Sequence, residues 1–268
     1  MTEPLAAVLP RQLVDVYEQV GPMVVAFSGG VDSAFLAVSA AGVLGRDAVR
    51  AVTAVSPSLG ADELEHCTRL AGDWSLDWST VTTDEIDDPR YVANDSDRCY
   101  WCKSHLMDGL VPLAGPAATV VLGVNVDDLG DHRPGQQAAR QRGARFPLVE
   151  AGLAKADIRA LARLIGLDAW DRPAAPCLSS RLPYGTPVTL GRLSAVELAE
   201  RGLRRLGLAD VRVRHHGDVG LVEVPADSIG WAGEHRVEIA EIVRGAGFRF
   251  VALDLEGFQS GRLNRALG

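Results

Sequence analysis

Short apolar strands alternate with helices along most of this sequence, and that alternation restricts the fold more than any other feature. Four strand-like runs occur in the first two thirds of the chain, at residues 23–27, 50–56, 76–82 and 119–125. Helix-like segments lie between them or follow them, at residues 33–44, 62–72, 98–110 and 154–167. Such alternation favours a parallel sheet covered by helices on both faces. We therefore predict an α/β fold.

The order of elements changes after a proline-rich stretch at residues 171–189. The remaining pattern indicates a helix, two strands about a Gly-Asp turn, a second helix and a last strand, at residues 189–208, 211–224, 230–248 and 249–255. A chain of 268 residues is also long for one compact domain. We expect a parallel-sheet domain at residues 1–186 and a smaller α+β domain at residues 187–268.

A glycine turn joins the first predicted strand to the first predicted helix, in the stretch MVVAFSGGVDS. Gly29 and Gly30 let the backbone approach an anion closely, and the N–H groups that open the helix point toward that anion. Ser28 and Ser33 add hydroxyl donors, and Asp32 can hold a magnesium ion that neutralises phosphate oxygens. The turn lacks the lysine of a Walker A loop and does not match G-x-G-x-x-G, which disfavours γ-phosphate transfer and dinucleotide binding.

A polar loop follows the fourth predicted strand, in the stretch VLGVNVDDLGDHRPG. Its amide, carboxylate and guanidinium side chains are Asn125, Asp127, Asp128, Asp131 and Arg133. Open α/β sheets bind ligands outside the carboxyl ends of their strands. Position alone leaves two interpretations open, a ligand site and a solvated acidic loop, and the second is the usual one for an acidic turn.

The acidic balance of the chain argues against a protein that binds long nucleic acid. The formal net charge is −8, whereas affinity for nucleic acid comes mainly from lysine and arginine. The N-terminal sequence lacks the pattern of a signal peptide, and no apolar run approaches the roughly 18 residues of a membrane span. We expect a cytoplasmic protein with neither a membrane nor a nucleic-acid partner.

Four sequence motifs beyond the glycine turn restrict the protein families that the chain can resemble. They are DRCYWCK at 97–103, PCLSSRLPYGTPVT at 176–189, VRVRHHGD at 211–218 and LDLEGFQSGRLN at 253–264. The SGGVDS turn resembles the pyrophosphate loop (PP-loop) of the ATP pyrophosphatase superfamily. Together with the four strings, it resembles the LarE family of ATP-dependent sulfur transferases, from about residue 10 to the C-terminus. Members of that family help to build the nickel-pincer nucleotide cofactor.

The resemblance implies a substrate, a nucleotide and a reaction. The substrate is a pyridinium mononucleotide with two carboxylates, each of which ATP activates as an acyl adenylate with release of pyrophosphate. Sulfur then displaces AMP and gives a thiocarboxylate. ATP and Mg²⁺ would lie on the glycine turn with Asn125 and Asp128, and Lys103 is a candidate phosphate contact. The resemblance also suggests a homo-oligomer.

The resemblance also assigns residues to sulfur transfer and substrate binding. Cys177 matches the sulfur donor of the sacrificial enzymes, and the cationic Arg181 lies four residues further on. Arginine forks suit phosphate and carboxylate groups, so Arg181, Arg212 and Arg214 are expected to hold the substrate. Arg212 and Arg214 alternate on one predicted strand and so face the same side. Two carboxylates, Glu200 and Glu223, match acidic positions near the same pocket.

The cysteines leave two sulfur sources open. Of the four, Cys67 lies in a helix-like segment and is expected to be a core thiol, whereas Cys99 and Cys102 stand close together in CYWC. With Cys177 they make three thiolates, which can hold a [4Fe-4S] cluster with one open iron. Some LarE-like proteins resemble this arrangement, so we favour the cluster. Alternatively, Cys177 alone gives up its sulfur.

Three other functions remain to be weighed against this one. A transfer-RNA thiolase shares the PP-loop, but it predicts a basic surface that the acidic chain lacks. A synthetase that uses ammonia would need no Cys177 and would leave RVRHHGD unexplained. A sensor that only binds ATP would release no pyrophosphate with any carboxylate.

Overall fold

The structure is a computed structural model that describes residues 5–130, 133–173 and 175–259. Asp131 of the polar loop, and residues 260–264 of the last string, lie outside the described residues. Within those ranges, no helix is both long and apolar enough to cross a membrane.

The elements that the sequence predicts are present, with small shifts at their ends. The strands are β1 (Met23–Ala26), β2 (Val49–Val55), β3 (Asp77–Thr82), β4 (Thr119–Leu122), β5 (Arg212–His216), β6 (Val219–Glu223) and β7 (Phe250–Leu253). The helices are α1 (Arg11–Val20), α2 (Val31–Leu44), α3 (Ala61–Asp73), α4 (Pro89–Val92), α5 (Arg98–Ala114), α6 (Pro134–Gln141), α7 (Pro147–Glu150), α8 (Lys155–Leu164), α9 (Leu190–Leu206), α10 (Ile229–Glu234) and α11 (Arg236–Gly245).

The first four strands form a sheet in the order β3-β2-β1-β4. β1 pairs in parallel with β2 on one side and with β4 on the other, and β2 pairs in parallel with β3. The strand order therefore reverses between β1 and β4, which is where open α/β sheets bind ligands. The glycine turn follows β1 and the polar loop follows β4, so both emerge at this point. The predicted α/β class with a parallel sheet is confirmed.

Apolar side chains cover both faces of β1. Met23 and Val25 belong to one buried cluster and Val24 belongs to the other, because neighbours along a strand point to opposite faces. The first cluster includes most of α2, and the second includes Met107 and Leu110 of α5. A strand that is buried on both faces needs no polar positions, which explains why MVVA shows no alternation.

The chain forms two compact units, and each unit is built from two separate stretches of sequence. The first unit contains the described residues of Met1–Glu85 and Cys99–Ala175, and the second contains those of Ile86–Arg98 and Pro176–Gly268. The long segment of the second unit thus begins before residue 187, and this unit also takes in the short segment 86–98.

The second unit has its own three-stranded sheet, in the order β5-β6-β7. β5 and β6 are antiparallel, whereas β6 and β7 are parallel. The single helix predicted at residues 230–248 is wrong, because two helices, α10 and α11, occupy this stretch. His235 separates them: its ψ angle is +24°, and its ring Nδ1 donates a hydrogen bond to the Trp231 carbonyl oxygen at 2.9 Å.

Candidate functional site

The turn between β1 and α2 is held together by its own serine side chains. Ser33 Oγ accepts a hydrogen bond from the Ser28 backbone N–H at 3.2 Å and donates one to the Gly30 carbonyl oxygen at 3.0 Å. Gly30 stands at the N-cap of α2 and has no side chain to satisfy the first helical N–H groups. Those groups and the positive end of the helix dipole can therefore bind an anion.

Gly29 lies in the left-handed backbone region, with φ at +71°, and packs directly against α3. A Cβ atom at this position would lie 2.9 Å from both Cys67 Sγ and His66 Cδ2. The turn therefore requires glycine both for its backbone angle and for space. Cys67 is fully buried, and burial raises the pKa of its thiol to about 11, so it is a core thiol and not a reactive one.

His66 supports the glycine turn from behind. Its Nε2 lies 3.1 Å from the Gly29 carbonyl oxygen, and its Nδ1 lies 3.0 Å from Arg69 NH2. Because the guanidinium can only donate, Nδ1 accepts, and the ring proton sits on Nε2 and points at Gly29. Burial and the nearby Arg172 charge lower the pKa of His66, which keeps the ring neutral. Nothing in DELEHCTRLA indicates that its histidine reaches a distant turn, so this role is not predictable from the sequence.

Asp32, Asn125 and Asp128 come together at the carboxyl ends of β1 and β4. The Asp32 carboxylate bonds the Asn125 side chain. The Asp128 backbone N–H donates to Asn125 Oδ1 at 3.2 Å, and the Asn125 backbone N–H donates to Asp128 Oδ2 at 3.3 Å. Asp32 Oδ1 is buried and has no hydrogen-bond partner in the described part of the chain. A buried carboxylate oxygen without a donor is suited to a hard cation such as Mg²⁺.

Burial and charges of both signs shift the pKa of the Asp32 carboxylate. Burial raises its pKa most, and the Asp128 charge raises it further. Lys155 and Arg159 of α8 lower it. The position of α8 is fixed by Asp127, whose Oδ2 accepts a hydrogen bond from the Lys155 backbone N–H at 2.7 Å. Lys155 and Arg159 belong to none of the sequence motifs, although both add positive charge where phosphates are expected.

Gly123, the residue that follows β4, contacts the start of α2. A Cβ atom there would lie 2.7 Å from the Ser33 backbone nitrogen and 2.8 Å from the Asp32 carbonyl carbon. Only a glycine allows the chain that leaves β4 to pass this close to the first turn of α2. The polar loop after β4 is therefore held in register with the glycine turn by direct backbone contact.

Cys99, Cys102 and Lys103 lie together on the first turns of α5. Cys99 is exposed and Cys102 is half-buried. The Lys103 side chain packs against α6 at Gly135, where an added Cβ would lie 2.8 Å from Lys103 Cγ. In the described part of the chain, neither cysteine forms a disulfide bond, and the exposed Cys177 does not form one either. Thiolates are the ligand type that a [4Fe-4S] cluster requires, so the donor set fits the predicted group.

In the second unit, Cys177 immediately precedes a 3-10 turn at Leu178–Arg181. The buried Arg181 donates from Nε and NH2 to the two Glu200 carboxylate oxygens, at 2.8 and 3.0 Å. Its NH1 donates to the carbonyl oxygens of Pro176 and Cys177. The guanidinium predicted to hold substrate thus holds Glu200 and the backbone of the cysteine segment.

Arg214 and Glu223 form a second buried ion pair in this unit. Arg214 donates from Nε and NH2 to Glu223 Oε2, at 3.0 and 2.8 Å, and from NH1 to the Ser180 carbonyl oxygen at 2.8 Å. Arg212 lies two residues before Arg214, at the start of β5, with its guanidinium 5.2 Å from the Phe258 ring centroid. Burial and the Arg181 charge lower the pKa of Arg212. Arg214 therefore contacts the turn that follows Cys177, and Arg212 lies close enough to Arg181 of that turn to be affected by its charge.

The structure thus gathers the predicted residues into groups on each unit. The first unit carries Ser28, Gly29, Gly30, Asp32, Ser33, Asn125 and Asp128 at the ends of β1 and β4, and Cys99, Cys102 and Lys103 on α5. The second unit carries Cys177, Arg181, Glu200, Arg212, Arg214 and Glu223. Among residues 5–130, 133–173 and 175–259, no group of three or more histidine, cysteine, aspartate or glutamate side chains is arranged to hold a metal ion.

Comparison with known proteins gives full-length relatives, although no family model matches the chain. An uncharacterized protein of Synechocystis sp. is 48% identical over 248 residues, which span 91% of this chain and 92% of that protein. The pyridinium-3,5-bisthiocarboxylic acid mononucleotide synthase of Lactiplantibacillus plantarum is 38% identical over 257 residues, which span 95% of this chain and 93% of the synthase. An uncharacterized protein of Methanocaldococcus jannaschii is 24% identical over 240 residues, 89% of this chain and 91% of its own length.

Proposed function

Since the chain belongs to the LarE family of sulfur transferases in nickel-pincer nucleotide biosynthesis, we propose that it converts the carboxylates of pyridinium-3,5-biscarboxylic acid mononucleotide to thiocarboxylates. ATP activates each carboxylate in turn, and AMP and pyrophosphate are released. The observation that carries the ATP-dependent half is the buried, unpartnered Oδ1 of Asp32 beside the start of α2, in the part of the chain that the structure describes.

The first unit would bind the nucleotide and catalyse adenylylation. The N–H groups at the start of α2 would hold the β- and γ-phosphates, with the hydroxyls of Ser28 and Ser33 beside them. Asp32 and Asp128 would hold Mg²⁺, which would neutralise charge on the phosphate oxygens when bound. A substrate carboxylate oxygen attacks the α-phosphorus as the bond to pyrophosphate breaks. Lys155 and Lys103 are further candidates for phosphate contacts.

The second unit would bind the substrate and present Cys177. Arg212 and Arg214 lie on β5 beside the cysteine turn, which supports a role in holding the substrate phosphate and free carboxylate. Arg214 is also paired with Glu223, so the substrate would meet a preformed charged pair. Arg181 and Glu200 are buried and bonded to each other, which supports a role in shaping this pocket.

Two sulfur sources remain within the proposal. In the sacrificial route, the Cys177 thiolate attacks the acyl carbon, and the carbon–oxygen bond to AMP breaks to leave a thioester. Removal of the Cα proton of Cys177 to a base then forms a Cα=Cβ double bond while the Cβ–S bond breaks. The product leaves as a thiocarboxylate, and dehydroalanine remains at position 177. A [4Fe-4S] cluster bound by Cys99, Cys102 and Cys177 would instead supply an extra sulfide and preserve the enzyme.

We further propose that the enzyme works in the cytoplasm as a homo-oligomer on a small molecule, without a nucleic-acid partner. The net charge of −8 supports the last point, because it would repel phosphodiester chains.

A single anaerobic turnover with ATP, Mg²⁺ and the dicarboxylated pyridinium mononucleotide tests the function. Pyrophosphate and thiocarboxylate are measured, together with the mass of the peptide that contains residue 177. Loss of the mass of hydrogen sulfide from that peptide supports the sacrificial route, and an unchanged peptide with product supports the cluster. Wild-type protein that forms neither pyrophosphate nor product would contradict the function.

A charge-neutral variant tests the role of Asp32. Asp32→Asn should lower pyrophosphate release by about 100-fold or more, because a metal ion supplies several kcal/mol to such transition states. The matched control is Asp73→Asn, which removes the same charge from an exposed position at the end of α3 and should leave the rate unchanged.

A further inference from the structure

The short segment 86–98 contributes three buried side chains that contact the turn after Cys177 or the residues that follow it. Tyr91, Asn94 and Arg98 are each 6% exposed or less. Arg98 NH1 donates a hydrogen bond to the Ser179 carbonyl oxygen at 2.8 Å. The Tyr91 hydroxyl lies 2.5 Å from Ser179 Oγ. Both contacts are long-range in sequence, because Tyr91 lies 88 positions and Arg98 lies 81 positions before Ser179.

Asn94 extends this contact beyond the turn. Its Nδ2 donates hydrogen bonds to the backbone carbonyl oxygens of Pro183 and Thr186, each at 2.8 Å. The backbone carbonyl oxygen of Asn94 accepts a hydrogen bond from the Gly185 N–H at 3.0 Å. Asn94 has a φ angle of +58°, a backbone conformation that asparagine tolerates better than most residues. Its Oδ1 accepts a hydrogen bond from Arg98, so the two residues act together.

Backbone carbonyls of the cysteine turn are thus bonded to buried guanidinium groups in succession. Arg181 bonds the Cys177 carbonyl, Arg98 bonds the Ser179 carbonyl and Arg214 bonds the Ser180 carbonyl. A short 3-10 turn has few hydrogen bonds of its own. Its geometry, and with it the direction of the Cys177 side chain, depends on these charge-assisted bonds. Of these three arginines, Arg98 directly precedes Cys99 in the sequence.

We propose that Arg98, together with Tyr91 and Asn94, positions the turn that carries Cys177 for the sulfur-transfer step. Arg98 is a positioning residue, since it acts through the Ser179 backbone. The inference rests on the proposed function and holds for either sulfur source, because Cys177 takes part in both. The groups proposed to activate the carboxylate lie on the first unit, and the proposed substrate contacts Arg212 and Arg214 lie on β5 rather than on this turn. With substrate at saturation, the two halves of the reaction should therefore respond differently.

The test compares wild-type protein, Arg98→Ala and Arg98→Lys in the anaerobic single turnover, with pyrophosphate and thiocarboxylate measured in the same sample. We expect Arg98→Ala to release pyrophosphate within about twofold of wild type, while thiocarboxylate per pyrophosphate falls by about 100-fold, the loss typical of a 1 Å misplacement. Arg98→Lys keeps a positive donor and should recover much of the loss. The control is Arg90→Ala, whose guanidinium bonds Asp88 in the same segment.

Hydrogen–deuterium exchange provides a readout that does not depend on turnover. In Arg98→Ala, the peptide that spans residues 176–189 should exchange faster than in wild type, whereas peptides of the first unit should not change. If Arg98→Ala fails to fold, Tyr91→Phe, which removes a single hydroxyl, should show the same two effects at smaller size.

The outcomes separate this inference from the proposed function. Wild-type product ratio and wild-type exchange in folded Arg98→Ala, or in Tyr91→Phe where that variant decides, would overturn the inference. Equal loss of pyrophosphate and thiocarboxylate in a folded variant would also overturn it. Wild-type protein without pyrophosphate release would overturn the function, while the exchange of residues 176–189 would still decide whether Arg98 holds the turn.

Discussion

His66 contacts the glycine turn through one ring N–H group, and its neighbours determine which ring nitrogen carries the proton. Arg69 can only donate, so it fixes Nδ1 as the acceptor and leaves Nε2–H for the Gly29 carbonyl. A second proton would have to go to Nδ1, where it would face Arg69 and lie near Arg172. At the scale of the residue, neutral histidine is therefore part of the structure of the turn.

The lowered pKa of His66 makes stability depend on pH in a defined direction. The unfolded chain takes up a proton near pH 6.5, whereas the folded chain does so only at lower pH. Stability from this group is therefore complete above pH 6.5 and is lost as the pH falls through the folded value. His66→Gln keeps an N–H donor without titrating.

We expect the advantage of wild type over His66→Gln in urea unfolding to shrink between about pH 8 and about pH 5. Equal free energies of unfolding of the two proteins at a single pH would not contradict this expectation. A difference between wild type and His66→Gln that stays constant from about pH 8 to about pH 5 would contradict it.

At the scale of the element, local pattern predicts the first unit well and long-range pairing poorly. The strand, glycine turn and helix around Asp32 are contiguous in sequence, so the string itself carries their geometry. The ion pair between Arg181 and Glu200 joins a turn to α9, and no local pattern shows that this guanidinium faces a carboxylate. Arg98 and Ser179 are 81 residues apart, which places their contact beyond any periodicity argument.

The contact between β4 and α2 gives a sharp test at this scale. Gly123→Ala should destabilise the fold by about 1–3 kcal/mol, because the new methyl group meets backbone atoms that cannot move aside independently. It should also raise the KM for ATP, since the first turn of α2 would shift. Gly72→Ala is the matched control: it lies in α3 with no atom within 4 Å of the added Cβ. Unfolding in urea and pyrophosphate release measure the two effects, and a normal KM in Gly123→Ala would contradict the proposed phosphate site.

At the scale of the whole molecule, the sequence predicts two kinds of architecture but not how the chain is shared between them. Alternating strands and helices predict the parallel sheet, and the later change of order predicts the second sheet. The contribution of residues 86–98 to the second unit leaves no compositional trace, because this segment is as polar and irregular as an ordinary surface loop.

Nucleotide binding should stabilise the folded chain as a whole. With Mg²⁺ present, ATP at about 100 times its Kd should add about 2.7 kcal/mol to the free energy of unfolding, because only the folded state offers the site. Asp32→Asn should lose the part of this gain that depends on Mg²⁺. Thermal unfolding with ATP in Mg²⁺ or in chelator measures the difference, and an equal shift of wild type in both conditions would contradict the predicted role of Asp32.

Because residues 86–98 belong to the second unit, the order of synthesis on the ribosome affects when that unit can form. This segment is made before residues 176–189, to which Asn94 and Arg98 bond in the finished protein. At roughly 5–20 residues per second, translation leaves Tyr91, Asn94 and Arg98 without these contacts for several seconds. A truncated product that ends before residue 176 would never form these contacts, and a gene fragment that begins there would lack the three residues. Neither half of a split gene encodes a complete second unit.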